Sequence, residues 1–328
     1  MRIKQLLFCL LALVVSGCGN DVPLSKGVIT LLESNQLLSA QFSSRGNVLL
    51  VLDFEGQASV FDANNFERVF KLPEEEAFLG TRFAILSDDG SKLILANDNE
   101  VAIWSLSEKK RIGKTKFNGV QPIATITAIA LSSSNDRLIV GMSDGAINMA
   151  TISTRLNNRF RPHTRPVTHL HFQDESLYWS ASEDGILAQR EFASPKPKVE
   201  QEFAHRITTL TFDKVREQLF VSDALKTQLI KPIKQPGLSK QLQYMARFMT
   251  FRQAYFVSEE HLLFTTSSKN HLSLWDIRTG EEIGTWRTQV NKPSATILAM
   301  HTNRKGELLT INSDAMVEAW DLNSLNNM

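Results

Sequence analysis

The sequence has little cysteine and no long apolar segments beyond its start, and both shortages restrict how the protein can be stabilised. The only cysteines in its 328 residues are Cys9 and Cys18. Because no cysteine follows Cys18, a disulfide cannot cross-link the body of the chain, and a packed core must stabilise it instead. After residues 1–17, no apolar run approaches the ~20 residues that a membrane-spanning helix requires.

The chain also lacks an excess of either charge. The whole sequence has a net charge of +1, and without residues 1–17 it has 34 Lys and Arg against 35 Asp and Glu. Such a balance gives no long-range attraction to nucleic acid or to an anionic membrane surface. We therefore expect no nucleic-acid partner.

Motifs of common enzyme chemistry are absent too. The sequence contains no HExxH zinc motif, no G-x-S-x-G nucleophile elbow and no glycine-rich phosphate loop. His169 and His171 alternate along a predicted strand, which places both side chains on one face, a spacing compatible with a metal. No carboxylate cluster accompanies them, so we favour packing between sheets and expect no catalytic residue, metal or cofactor.

The N-terminus has the layout of a secretory signal peptide. Arg2 and Lys4 precede a nearly unbroken apolar stretch from Leu6 to Val15. Removal of this segment would take Cys9 away and leave Cys18 as a lone thiol in an exported chain. An unpaired cysteine in that setting calls for an explanation.

Val15-Ser16-Gly17-Cys18 resembles the lipobox of bacterial lipoproteins. The resemblance implies that residues 1–17 are removed, that a diacylglycerol is attached to the sulfur of Cys18, and that the lipid anchors the chain to a membrane. Gly19, rather than aspartate, implies the periplasmic face of the outer membrane of a Gram-negative cell. The inner membrane and the cell surface stay open as alternatives, as does a secreted protein in which Cys18 is incidental.

The rest of the chain repeats a pattern of short β-rich segments. Each unit has two apolar strands, then a turn residue, and six residues later a closing position at the end of a third strand. The closing positions are Phe61, Trp104, Ala150, Arg190, Leu229, Trp275 and Trp320. The turn residues are Glu55, Asp98, Asp144, Asp184, Asp223, Lys269 and Asp314.

These seven units resemble the WD-repeat β-propeller family, most clearly in "SLWDIRTGEE" (273–282), "EAWDLNS" (318–324) and "ASEDGILAQ" (181–189). The resemblance implies an all-β fold of seven four-stranded antiparallel blades. The last unit ends after its third strand, so an N-terminal strand at about 27–33 is expected to complete it and close the ring. The resulting organisation is a signal peptide (1–17), a lipidated tether (18–26) and a propeller (27–328).

In the family, four side chains form a hydrogen-bonded network. They are a His before the first strand, a Ser or Thr in the second strand, the turn Asp and the closing Trp. This chain keeps pieces of it. His163 and His205 have the early position in blades four and five, where the Trp is missing. We interpret the turn aspartates (Asp98, Asp144, Asp184, Asp223, Asp314) and closing aromatics (Phe61, Trp104, Trp275, Trp320) as structural, with the buried carboxylates satisfied by backbone N–H groups.

Two charged clusters on blade connections are candidate partner-binding groups. Arginine beside an aromatic suits an interface, and opposite charges on one rim suit polar docking. The basic cluster is Arg155, Arg159, Phe160, Arg161 and Arg165, and the acidic cluster is Glu74, Glu75 and Glu76. Solvated loop charges are an equally simple explanation.

Together these patterns predict a membrane-anchored lipoprotein that acts as a non-catalytic scaffold for other envelope proteins, either as a monomer or as a subunit of a hetero-complex. Function resides in sites rather than folds. The alternative is therefore a propeller enzyme, or a propeller that binds a metal or small molecule at the mouth of its central channel. A segment at 231–248 is longer than a usual connection, and it is expected to form a loop or short helix, or a plain linker that contains a fourth strand.

Overall fold

The structure, a computed structural model, describes residues 24–76, 80–243, 250–267 and 270–327. Within these residues the chain forms seven antiparallel sheets of four strands each, arranged as the blades of a propeller. The predicted seven-bladed all-β fold is confirmed. The described part of the chain contains no helix that is both long and apolar enough to span a membrane.

Six blades each take four consecutive strands, after a first strand that belongs to the seventh. The strands from the N-terminus through blade two are β1 (Ser25–Leu31), β2 (Leu37–Phe42), β3 (Val48–Asp53), β4 (Ala58–Asp62), β5 (Arg68–Lys71), β6 (Phe83–Leu86), β7 (Lys92–Ala96), β8 (Glu100–Ser105) and β9 (Lys110–Lys116). Blades three and four contain β10 (Ile126–Leu131), β11 (Arg137–Met142), β12 (Ile147–Thr151), β13 (Leu156–Phe160), β14 (Val167–Phe172), β15 (Leu177–Ser182), β16 (Ile186–Glu191) and β17 (Pro197–Glu202).

The remaining blades follow the same order. Blades five and six contain β18 (Ile207–Asp213), β19 (Gln218–Asp223), β20 (Gln228–Pro232), β21 (Lys240–Gln241), β22 (Phe251–Val257), β23 (Leu262–Ser267), β24 (His271–Asp276) and β25 (Glu282–Arg287). Blade seven contributes β26 (Ile297–Thr302), β27 (Glu307–Asn312) and β28 (Met316–Asp321). The described 3₁₀ turns are Glu74–Glu76, Pro236–Leu238, Ser258–Glu260 and Leu322–Asn327.

The N-terminal strand closes the ring. β1 pairs antiparallel with β28, so that Ser25 lies opposite Asp321 and Leu31 opposite Met316. The strand begins and ends two residues earlier than predicted, and Leu24 before it is already buried. The propeller therefore includes residues 24–26, which were assigned to the tether. An ion pair between Lys26 and the buried Glu318 joins the two ends of the propeller.

Adjacent blades pack face to face, and the apolar core is divided among the interfaces between them. Trp104 packs with blade-one side chains such as Phe70, Trp275 packs with blade-five side chains such as Phe220, and Trp320 packs with blade-six residues. The closing side chain of a blade thus faces the preceding blade. Six of the seven blades also share a register shift near the start of their first strand.

The up-and-down order of the strands gives the ring two distinct faces. The turns between the second and third strands of each blade lie at the same end as the connections to the next blade, and we call this end the connection face. The other end, which we call the hairpin face, carries two turns of each blade. One joins the first and second strands, and the other joins the third and fourth strands. Because β1 replaces a fourth strand, it starts at the hairpin face and runs to the connection face.

The long segment at 231–248 combines two of the expected features. It contains the short 3₁₀ turn Pro236–Leu238 and then β21, the fourth strand of blade five, which pairs with β20. Residues 244–249 lie outside the described residues.

Candidate partner-binding surface

The turn aspartates lie on the connection face and hold the backbone there. Asp144 accepts hydrogen bonds from the N–H of Ala146 (3.1 Å) in its own turn and of Gln121 (2.8 Å) in the preceding connection. Asp314 accepts from the N–H groups of Asn291 (2.8 Å) and Lys292 (2.9 Å) in the corresponding connection before blade seven. These two carboxylates therefore fasten the loops that link one blade to the next.

The other turn positions differ from blade to blade. Asp223 accepts from Leu225, Lys226 and Thr227 N–H groups within its own turn, and these bonds outweigh the effect of burial and lower the pKa of Asp223. Asp98 is half exposed and pairs with Arg82 at 3.1 Å. In blade one, Asp53 rather than Glu55 accepts the hydrogen bonds from the backbone N–H groups of the turn. Lys269, the turn residue of blade six, lies outside the described residues.

In blade four, hydrogen bonds join His163, Ser180 and Asp184. His163 is fully buried, with Nδ1 3.1 Å from Asp184 and Nε2 3.0 Å from the hydroxyl of Ser180. Burial raises the pKa of Asp184, but the hydrogen bonds from His163 and from the N–H groups of Thr164 and Ile186 outweigh it and lower that pKa to about 2. The arrangement holds the connection between blades three and four. His205 makes no corresponding hydrogen bond to Asp223.

The closing aromatics are buried between blades. Trp275 and Trp320 each donate from Nε1 to a threonine hydroxyl on the neighbouring second strand, Thr265 (2.8 Å) and Thr310 (3.1 Å). Phe61 and Trp104 are likewise buried. In blade three the same position holds Ala150, and a groove of about 620 Å³ lies beside it.

The basic cluster is divided between the two faces. Arg155 lies in the turn before β13 on the hairpin face, whereas Arg159, Arg161 and Arg165 lie toward the connection face. Arg159 donates to the carbonyl of Gly119 (2.6 Å) and Arg161 to the carbonyl of Asp144 (2.7 Å). Phe160 is partly buried against the apolar core between blades three and four. Arg159 thus braces the neighbouring loop and Arg161 the turn of its own blade, while both side chains stay exposed at the surface.

The acidic cluster is on a different connection and has its own partners. Glu74, Glu75 and Glu76 form the 3₁₀ turn between blades one and two. Glu76 pairs with Arg111 at 2.8 Å and Glu74 with Lys71 at 3.6 Å. No ion pair joins these three glutamates to the basic cluster in the described residues. Cys18 lies outside the part of the chain that the structure describes.

The central channel is narrowed at the hairpin face. Lys214 of blade five reaches Asp88 of blade two at 3.1 Å. Burial lowers the pKa of both His169 and His171 to about 4, and for His171 Lys214 adds to the effect while Asp88 opposes it. The His171 ring lies 5.4 Å from that of Phe212, in accord with packing between blades. Among the described residues no group of three or more His, Cys, Asp or Glu side chains is placed to hold a metal ion.

A loop that sequence reasoning did not single out is prominent on the connection face. Residues 118–125, between blades two and three, carry Ile123, which is 86% exposed, and Val120, which is 54% exposed. The signal that could have found it is a repeated tetrapeptide pattern, "PIAT" at 122–125 and "PSAT" at 293–296. The two segments differ mainly in the polarity of the exposed positions.

No family model matches this sequence, and no curated protein is significantly similar to it.

Proposed function

We propose that the protein is a lipoprotein of the bacterial cell envelope, with a WD-repeat-like propeller that serves as a non-catalytic docking platform for other envelope proteins. Two observations support the family assignment: the His163–Ser180–Asp184 contacts of blade four, and the Trp–Thr pairs of blades six and seven. They are fragments of the network that WD repeats share.

The observation that carries the anchored arrangement is the short sequence distance between Cys18 and the buried Leu24. Leu24 is buried in the last blade, six residues after Cys18. Six residues span at most ~21 Å when fully extended. A propeller attached through Cys18 would therefore stay close to the bilayer.

The course of β1 also supports an orientation. The strand starts on the hairpin face, and its seven residues extend ~23 Å to the connection face. A tether of ~21 Å is too short both to pass around the rim and to reach a bilayer. In the proposed arrangement the hairpin face is nearer to the membrane, and the connection face is open to partners in the periplasm.

Fractionation of cells tests the anchor. The Cys18→Ala variant should move from the membrane pellet to the soluble fraction, because the acyl chains that supply membrane affinity are lost. Cys9→Ala is the matched control, since Cys9 lies in the segment that is removed, and this variant should stay in the membrane. Membrane retention of the Cys18→Ala variant would count against the lipobox.

Chemical crosslinking of intact envelopes tests the docking role. Capture of the lipidated protein should recover the same defined partner in repeated preparations. Consistent recovery of no partner would contradict a scaffold function.

A further inference from the structure

The loop at 118–125, between blades two and three, has a counterpart at 289–296, between blades six and seven, that shares several of its backbone contacts. In both loops a residue N–H donates to the turn aspartate of the next blade: Gln121 to Asp144 (2.8 Å) and Lys292 to Asp314 (2.9 Å). Each loop closes with one further bond, from Ala124 N–H to the Gln121 carbonyl and from Ala295 N–H to the Lys292 carbonyl.

The ends of the two loops are fastened in the same way as well. Thr125 N–H donates to the Ser143 hydroxyl (2.9 Å), and Thr296 N–H donates to the Ser313 hydroxyl (3.2 Å). The alanine of each loop, Ala124 or Ala295, is buried. The two loops therefore share these contacts from residue 121 or 292 onward, although their sequences differ and Val290 stands where the first loop has Gly119.

The side chains at the tips are what distinguish the loops. Val120 and Ile123 in the first loop correspond to Asn291 and Ser294 in the second. Since the second loop makes the same contacts with polar residues at its tip, these contacts do not need apolar side chains there. Ile123 is the most exposed large apolar side chain of the described residues. A single exposed apolar residue would need no explanation, but a rigid pair at a loop tip is typical of a contact site.

Three side chains outside the first loop donate hydrogen bonds to its backbone carbonyls. Arg159 donates to the Gly119 carbonyl, Asn148 to the Asn118 carbonyl (3.2 Å), and Asn99 to the Ala124 carbonyl (3.0 Å). Gly119 approaches Ala124 and Asp144 so closely that an added Cβ would lie 2.4 Å from the Ala124 side chain. Such rigidity lowers the entropic cost of binding, because the tip need not be ordered when a partner docks.

The charge around the loop indicates the chemistry of its partner. Lys116, Arg159 and Arg161 are exposed near its base, whereas Asp144 is buried and the carboxylates of Asp98 and Glu100 are paired with Arg82 and Lys114. Positive charge beside an apolar tip complements an apolar pocket that is bordered by carboxylates.

We propose that the 118–125 loop is the main docking element of the propeller, and that it inserts Val120 and Ile123 into an apolar, acid-rimmed pocket of an envelope protein. This inference rests on the proposed docking function and assigns it to one site.

Photocrosslinking in living cells tests the assignment. A benzophenone-bearing amino acid placed at position 123 of the full-length protein should crosslink one partner, and the same probe at position 294 should not. Mass spectrometry of the crosslinked peptide should locate the attachment among apolar residues flanked by Asp or Glu. Equal crosslinking from both positions, or attachment to a surface without carboxylates, would overturn the proposal.

A variant copied from the second loop separates docking from folding. Val120→Asn together with Ile123→Ser should leave the thermal unfolding midpoint within about 2 °C, because exposed substitutions rarely affect stability. The dissociation constant for the crosslinked partner should rise roughly 30-fold, as for loss of an interface hot spot. Capture undiminished by this variant, while the wild type still captures its partner, would disprove the role of the loop and leave the docking function intact.

A final variant controls for non-specific binding through exposed apolar side chains. Adding Asn291→Val and Ser294→Ile to the double variant places the same apolar side chains on the second loop, away from Arg159 and Arg161. This protein should not regain the partner. Recovery of capture would show that exposed apolar area alone was responsible, and wild-type protein that captures no partner at all would overturn both proposals.

Discussion

Blade six and blade four place different side chains at the same point of the third strand. In blade six the position holds Trp275, which is buried against blade five and donates to Thr265. In blade four it holds Arg190, only 2% exposed, which donates to the Pro195 carbonyl (2.9 Å) and lies 3.7 Å from Glu200. Within the described residues, the Nε of Arg190 and the hydroxyl of the facing Tyr178 have no hydrogen-bond partner.

The difference shows that a blade can be held in two ways. Trp275 combines a large apolar surface with a satisfied donor, so the closing position itself stabilises blade six. Burial of Arg190 has a desolvation cost that its single good hydrogen bond and distant carboxylate offset only in part. Blade four compensates through the His163–Ser180–Asp184 contacts, which tie its second strand to the preceding connection.

The largest effect is expected from truncation of the closing tryptophan. Trp275→Ala should lower the free energy of unfolding by about 3–5 kcal/mol, because a large cavity is left between blades five and six. Trp275→Phe, which keeps most of the apolar surface but loses the donor to Thr265, should lose only about 1 kcal/mol. Urea denaturation measures both, and a similar loss for the two variants would contradict a mainly apolar role.

Removal of the buried histidine should weaken blade four by a smaller amount. His163→Ala leaves Asp184 with only its backbone N–H donors and removes the hydrogen bond of the Ser180 hydroxyl, and we expect a loss of about 1–3 kcal/mol in urea denaturation. His205→Ala is the matched control, since His205 makes no hydrogen bond to Asp223, and it should change stability by no more than about 0.5 kcal/mol. Equal losses would mean that the His163 contacts do not hold the blade.

The His163–Ser180–Asp184 contacts also predict that the stability contribution of blade four depends on pH. The contribution of Trp275 in blade six should not. The pKa of Asp184 in the folded protein, about 2, lies below the ~3.9 of an unfolded aspartate. Its contribution is therefore complete above about pH 4 and is lost as the pH falls toward 2. The stability difference between the wild type and Asp184→Asn should shrink over this window, whereas that between the wild type and Trp275→Phe should not. A constant difference for Asp184→Asn would contradict the lowered pKa.

The smallest effect is expected at the closing position of blade four. Arg190→Met removes a poorly compensated buried charge and keeps much of the volume, so the unfolding free energy should stay within about 1 kcal/mol of the wild type or rise. Arg190→Ala, which also leaves a cavity, should be clearly less stable. A loss of more than about 3 kcal/mol for Arg190→Met would show that the charge itself holds the blade.

The fold was predictable because the strand pattern of one blade recurs in the sequence at a nearly constant spacing. The spacing of closing positions such as Trp104 and Trp275 fixed the number of blades, and the missing fourth strand of the last blade pointed to closure by the N-terminal strand. These features depend on local strand patterns, which each unit carries by itself.

The contacts between units were not predictable in the same way. Nothing near Arg159 in the sequence indicates that its guanidinium reaches the carbonyl of Gly119, forty residues earlier. Likewise, the exposure of Ile123 depends on how Asp144 holds a loop of the preceding connection. Long-range side-chain contacts decide these details, and they follow from the packing of blades rather than from any local pattern.

The most direct test measures how far each face lies from the membrane. In the proposed lipid-anchored form, Cys18 is the one cysteine and is acylated, so a cysteine introduced elsewhere would be the only free thiol. A fluorescent probe at Val215→Cys, on the hairpin face where the side chain is 76% exposed, and one at Ile123→Cys, on the connection face, can be compared in vesicles that contain quencher lipids. The probe at position 215 should be quenched more strongly. Stronger quenching at position 123, or none at either position, would contradict a lipid-anchored propeller that presents its connection face to partners.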